Sequence, residues 1–130
     1  MEELIEEKEA IKYFFDSYAV IEILKENSSY KRFIKESVTL TIFNLAEIYY
    51  SILNNYDREN ANIVYTKYKG AVVELKDETL KEAMKFKKEY KKQRLSYADC
   101  IGYIYAKLHN MKFLTGDKEF EEMENVEFVK

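Results

Sequence analysis

A chain of 130 residues has room for one domain with one core, and its 47% apolar and aromatic content is that of a globular protein rather than a disordered one. The net charge of −3 excludes a global basic field as the means of holding nucleic acid, so any such contact rests on a local patch. With a single cysteine, Cys100, no intrachain disulfide can form; no apolar run is long enough to span a membrane, and the acidic N-terminus has no apolar signal segment, so a cytoplasmic protein is expected.

Residues 1–12 are good helix formers with few apolar groups, and are expected to be a helical or flexible extension to a domain over residues 13–130. Tyr13, Phe14 and Phe15 form an apolar run stopped by Asp16, which suits a buried strand. From Ser17 the period becomes helical through Val20, Ile21, Ile23 and Leu24, and Ser28 or Ser29 can cap a short helix with Phe33 and Ile34 inward. The β-branched residues 38–42 predict a second strand, followed by a helix that Asn44-Leu-Ala-Glu47 opens and that carries Leu45, Ile48, Tyr49 and Ile52. A further helix is expected from Asp57 to Gly70, a third strand over residues 71–75, and a long helix from an Asp77 cap to about Arg94. Next come a helix behind Ser96 with Tyr97, Ile101, Ile104, Tyr105 and Leu108 inward, a strand over residues 112–114, and a last strand over residues 126–129. Strands alternating with helices imply an α/β domain, a parallel sheet covered on both faces with right-handed crossovers.

In such sheets the ligand crevice lies beyond the carboxyl ends of the strands. Asp16 ends the first strand, Glu47 and Asp99 fall in the first turns of helices, and Asp117 follows a strand, so four carboxylates are directed to one end of the sheet. Each is also suitably placed to cap a helix, where the dipole favours an acid. Asn44-x-x-Glu47 and Ser96-x-x-Asp99 have capping-box spacing, and with Asn44 and Ser96 as caps the carboxylates of Glu47 and Asp99 are expected to be free. Converging carboxylates repel by about 4 kcal/mol per pair at a separation of about 4 Å and an effective dielectric of about 20, so they need raised pKa values or a cation. An all-oxygen donor set favours Mg²⁺ or Mn²⁺, one ion or two, and such ions serve phosphodiester hydrolysis.

The order Phe14-Phe15-Asp16-Ser17, Asn44-Leu-Ala-Glu47, Ser96-Tyr-Ala-Asp99 and Leu114-Thr115-Gly116-Asp117-Lys118-Glu119-Phe120 resembles the PIN-domain family, and within it the small VapC-like ribonucleases of prokaryotic toxin–antitoxin pairs. The resemblance implies a three-layer fold with a central parallel sheet of about five strands flanked by helices, and Mg²⁺- or Mn²⁺-dependent endoribonuclease activity. It also implies an antitoxin protein as partner and a homodimer. Carried over by position, Asp16, Glu47, Asp99 and Asp117 are the metal-binding and catalytic acids, Ser17 and Thr115 supply hydroxyls beside them, and Glu119 is a further acid.

Lys81, Lys85, Lys88 and Lys92 recur on one predicted helix face and form either a solvated surface or a stripe for an RNA backbone, with Arg94 the cation closest to the crevice. Tyr49, Tyr50, Tyr103 and Tyr105 are core or interface residues or base-stacking platforms. Two other functions compete with a nuclease. One is a catalytically silent domain that binds RNA or protein, its acids serving only as caps. The other is a phosphatase using Asp16 as nucleophile, which Tyr18 opposes by standing where that chemistry usually has a second aspartate.

Overall fold

The computed structural model describes residues 10–130; of the expected extension only residues 10–12 are described, without regular structure, and the rest lies outside the described residues. Strand β1 (Tyr13–Phe15) leads into helix α1 (Ser17–Leu24), and a 3₁₀ turn at Ser28–Phe33 precedes α2 (Ile42–Asn55) and α3 (Arg58–Lys69). Helices α4 (Asp77–Glu89) and α5 (Tyr97–Leu108) follow, then β2 (Lys112–Thr115), a 3₁₀ turn at Lys118–Phe120, and β3 (Val126–Phe128).

The three strands form one parallel sheet in the order β1-β2-β3, with Phe14 opposite Phe113 and Leu114 opposite Glu127. This is the expected helix-flanked parallel sheet, with fewer strands than the five predicted. Residues 38–42 and 71–75 contribute only a parallel bridge, Leu40 to Val72, attached to β1 through a hydrogen bond from the Phe15 amide to the Thr39 carbonyl. The reason is local. Thr41 caps α2, which removes Ile42 from the strand, while the amides of Ala71 and Val72 are committed to carbonyls at the end of α3. What remains between helices is too short for a ladder.

Helix α5 packs against β1 and β2 through small residues together with the middle of the predicted stripe: Ile101 is buried, Ile104 and Tyr105 pack on the core, and the Tyr105 ring meets Phe14. Ala98, Gly102 and Ala106 are buried at a spacing of four, whereas Tyr97 and Leu108 are 60% and 50% exposed. A Cβ on Gly102 would stand 2.6 Å from Phe14 Cε1, so glycine is what lets the helix close on the aromatic layer of Phe14, Phe113 and Tyr103. By the strand pleat, Phe15 and Leu114 point to the other face, and both are fully buried. Ile34, expected inward, is exposed beside a buried Phe33. The helix predicted to reach Arg94 stops at Glu89, with Lys76 rather than Asp77 at its N-cap; a 3₁₀ turn at Lys91–Gln93 follows, and Arg94 takes a left-handed backbone conformation. Among the described residues no helix is long and apolar enough to cross a membrane.

Candidate active site

At the carboxyl end of the sheet lies an open crevice of about 590 Å³ whose lining includes Asp16, Glu47, Asp99 and Asp117, together with Ser17, Tyr18, Tyr50 and Ser96. The strand exits account for two of the acids. Asp16 caps α1: its Oδ1 accepts the Ser17 amide at 2.8 Å, and its Oδ2 accepts the Thr115 hydroxyl at 2.7 Å. Asp117 caps the turn after β2, its Oδ1 accepting the Glu119 amide at 3.0 Å while its own amide donates to Thr115 Oγ1.

The other two are positioned by helices, one of them differently from expectation. The capping box of α2 is Thr41 with Asn44, not Asn44 with Glu47: the Thr41 amide donates to Asn44 Oδ1 at 2.9 Å, and the Asn44 amide donates back to Thr41 Oγ1. Glu47 is therefore beyond the first turn. It is oriented instead by Ser17, whose hydroxyl donates to Glu47 Oε1 at 2.7 Å and accepts from Asn44 Nδ2 at 3.0 Å. Asn44, fully buried, thus ties the start of α2 to the start of α1, a role its spacing from Thr41 signals. At α5 the predicted box is present, but Asp99 takes part in it: its Oδ2 accepts the Ser96 amide at 2.9 Å, so that carboxylate is only half free. Asp99 Oδ1, Glu47 Oε2 and Asp117 Oδ2 accept no hydrogen bond among the described residues.

The charges are felt. Asp16, 2% exposed, has its carboxyl pushed well above the ordinary aspartate range by burial, then by the negative charge of Asp99, with Glu47 and Asp117 adding to it; the Thr115 hydroxyl opposes the shift. Asp99 is raised as well, first by burial and further by Glu47 and Asp117, against the Ser96 hydrogen bonds. Among the described residues no three His, Cys, Asp or Glu side chains are gathered closely enough to grip one ion as they stand. The donor set nonetheless fits a hard divalent cation in kind, because Mg²⁺ usually keeps several waters and takes only one or two carboxylates.

The remaining predicted residues are placed as follows. Ser17 and Thr115 are buried and hydrogen-bonded to the acids. Glu119 is exposed, and its side chain lines a separate cavity with Phe86 and Lys107. Arg94 lines a separate pocket with Leu95 and Tyr97 and is not among the residues lining the crevice. Tyr103 is buried and donates to the Glu124 carbonyl, Tyr49 donates to Asn62, and only Tyr50 of the four tyrosines stands fully open, at 68% exposed. Burial pushes the Cys100 thiol up to about 11, so it behaves as a small apolar side chain.

The sequence matches the PIN domain family over residues 13–126, and the chain belongs to that family. No curated protein is significantly similar to it in sequence. Among solved structures, it superposes on a toxin–antitoxin complex from Klebsiella pneumoniae at a TM-score of 0.70 and 15% identity, covering 89% of this chain and 96% of that one. It also superposes on VapBC2 from Rickettsia felis bound to a DNA fragment from its promoter, at a TM-score of 0.67 and 15% identity, over 91% of this chain and 97% of that one. For VapBC-1 from nontypeable Haemophilus influenzae the TM-score is 0.65 at 17% identity, with 92% and 98% covered. At these identities the likeness is one of fold.

Proposed function

We propose that the protein is a divalent-metal-dependent endoribonuclease, the toxin of a toxin–antitoxin pair, acting in the cytoplasm. The observation that carries this reading is the crevice itself, which Asp16, Glu47, Asp99 and Asp117 line from four separate segments, with Asp16 and Asp99 destabilised as anions by burial first and by the neighbouring acids as well. Like charge gathered in a half-buried site is relieved by proton uptake or by a bound cation, and the cation is what hydrolysis of a phosphodiester requires.

In this reading the four acids hold one or two Mg²⁺ or Mn²⁺ ions. Such an ion, when bound, orients the phosphodiester, lowers the pKa of the attacking water and stabilises the departing oxygen. The protein's own contribution is positional. Ser17 and Thr115 fix the carboxylates of Glu47 and Asp16, Ser96 fixes one oxygen of Asp99, and the second oxygens of Glu47, Asp99 and Asp117 are left for ligation. Asp16 must give up the proton its burial favours before it ligates, so ion affinity rises with pH. A protein partner that fills the crevice would silence it, and this is the role assigned to an antitoxin. A homodimer is the expected assembly.

A second reading is favoured by one specific observation: Asp16, Asp99 and Asp117 each accept an amide at a helix start, and no three acids are close-set, as in a silent module whose acids only cap. The same experiment decides. Wild-type protein should cut RNA in Mg²⁺ or Mn²⁺, stop in EDTA, and lose the activity in Asp16→Asn. Equal cutting by wild type and Asp16→Asn would mark a contaminant and leave the silent module standing.

A further inference from the structure

Tyr97 is the first residue of α5, two positions before Asp99, and it is 60% exposed while Ala98, Cys100 and Ile101 behind it are buried. Packing does not account for it. Lys87 donates to the Leu95 carbonyl and places its ammonium 4.9 Å from the Tyr97 ring centroid, which steadies the ring at the surface. Around it lies a pocket of about 320 Å³ lined by Lys87, Lys88, Lys91 and Arg94, with Met84, Tyr90 and Leu95 beside Tyr97. Lys88, Lys91 and Arg94 form no ion pair among the described residues. Four cations around an exposed aromatic ring stand out in a chain of net charge −3.

The stripe read from the sequence, Lys81, Lys85, Lys88 and Lys92, contributes only Lys88 to this pocket, because α4 ends at Glu89 and the chain turns through Lys91–Gln93. The turn, rather than the helix face, gathers the charge. It does so immediately before Ser96, where the acid crevice begins. Without a bound cation the four acids repel a polyanion, and groups beside the crevice are then the ones that can hold it. Stacking on a base carries no charge penalty, and cations take the neighbouring phosphates.

We propose that the pocket at the α4–α5 turn is a nucleotide subsite for single-stranded RNA, in which Tyr97 stacks on an unpaired base beside the scissile phosphate and Lys88, Lys91 and Arg94 hold the flanking backbone. This rests on the reading of the chain as a ribonuclease. A duplex does not fit, because its bases are stacked on one another and offer no free face. Met84, Tyr90 and Leu95 complete the lining, so a protein segment is the competing occupant that the test must separate.

The test is fluorescence anisotropy in EDTA, so that turnover does not intrude, with a short labelled single-stranded RNA of mixed sequence and the same RNA as a duplex. Wild type should prefer the single strand. Tyr97→Ala should weaken binding about ten- to a hundredfold, with the salt dependence unchanged, and Tyr97→Phe should bind like wild type. Arg94→Gln should instead flatten the slope of log affinity against log salt by about 0.7. In Mg²⁺, Tyr97→Ala should raise KM far more than it lowers kcat, and because the ring is exposed its melting temperature should stay near wild type. Equal affinity and KM for wild type and Tyr97→Ala would overturn the subsite and assign the surface to a protein partner, even if wild type cuts RNA. No RNA binding by wild type would overturn it as well. Tyr97-dependent binding by a wild type that never cuts would keep the subsite and remove the nuclease.

Discussion

Thr115 donates its hydroxyl to Asp16 Oδ2 across 2.7 Å, joining the exit of β2 to the exit of β1 in a site where both residues are buried. It is the one side-chain hydrogen bond that counters what burial and neighbouring charge do to Asp16. Thr115→Val keeps the shape and removes the donor, and it also strips the Asp117 amide of its acceptor. The expected loss is about 1.5–3 kcal/mol of stability at neutral pH in urea unfolding, the scale for a hydrogen bond to a charged group. The Asp16 carboxyl should rise further in a titration followed by NMR. A Val variant as stable as wild type would show that the bond carries no weight.

The raised carboxyls give the metal-free protein a characteristic pH response. An unfolded aspartate titrates near about 3.9, and Asp16 and Asp99 titrate higher when folded. Between the two values the native chain binds more protons than the unfolded one, so the stability these residues contribute is full below the unfolded pKa and drains away as pH rises through the folded values. Asp16→Asn should therefore be more stable than wild type at pH 7 in EDTA, with the gap closing toward pH 4. A gap that stays constant with pH would mean that the carboxyl is not shifted.

A divalent cation should reverse that loss. Mn²⁺ at about 100 times its dissociation constant should add about 2.7 kcal/mol to wild type, and EDTA should withdraw it. Asp99→Asn keeps an acceptor for the Ser96 amide but loses a charged ligand, so its response should be much smaller. Identical shifts in both proteins would place the ion elsewhere.

Beside Gly116, the Tyr30 hydroxyl is buried without a hydrogen-bond partner among the described residues, and burial pushes its pKa well above the ordinary tyrosine range, so its phenol stays protonated. Tyr30→Phe removes a stranded polar atom and should leave stability unchanged or raise it, by up to about 1–3 kcal/mol in thermal or urea unfolding. Gly116→Ala should act in the opposite sense. Its Cβ would press on the Tyr30 hydroxyl, on Tyr18 Cε1 at 2.7 Å and on the Val129 carbonyl at 2.9 Å, in the segment that carries Asp117. A cost of about 1–3 kcal/mol is expected, with weakened Mn²⁺ binding. A Gly116→Ala protein as stable as wild type would show that the segment yields.

What could be read from residues alone depended on whether a pattern had one structural meaning. A run of three aromatics stopped by an acid, and an apolar strand stopped by Thr-Gly-Asp, each specify a strand exit, and Asp16 and Asp117 stand there. The stretch 38–42 has two meanings, because its β-branched residues favour a strand while Thr41 and Asn44 form a capping box, and the box prevailed. The same box displaced Asn44 from the role of cap to that of a buried clasp on Ser17. At α5 the middle of the predicted stripe, Ile101, Ile104 and Tyr105, packs on the core, but its ends, Tyr97 and Leu108, are exposed, and the tightest approach to the sheet is at Gly102. Nothing in spacing distinguishes an aromatic that packs from one that projects, so the exposure of Tyr97 was not legible. The proximity of the acids was legible as direction but not as distance.

The parallel pairing of β1 with β2 also fixes when the crevice comes into being. Asp16 and Glu47 leave the ribosome early, whereas Asp99, Thr115 and Asp117 all lie in the last third of the chain. Until residues 112–115 have emerged, β1 has no partner on that side, Asp16 lacks the hydroxyl that holds its second oxygen, and Asp117 is not yet in place. A nascent chain can therefore carry no assembled crevice while most of it is still being translated. For a protein whose proposed substrate is RNA, synthesis order alone delays the hazard until residues 112–117 have been made and can pair with β1.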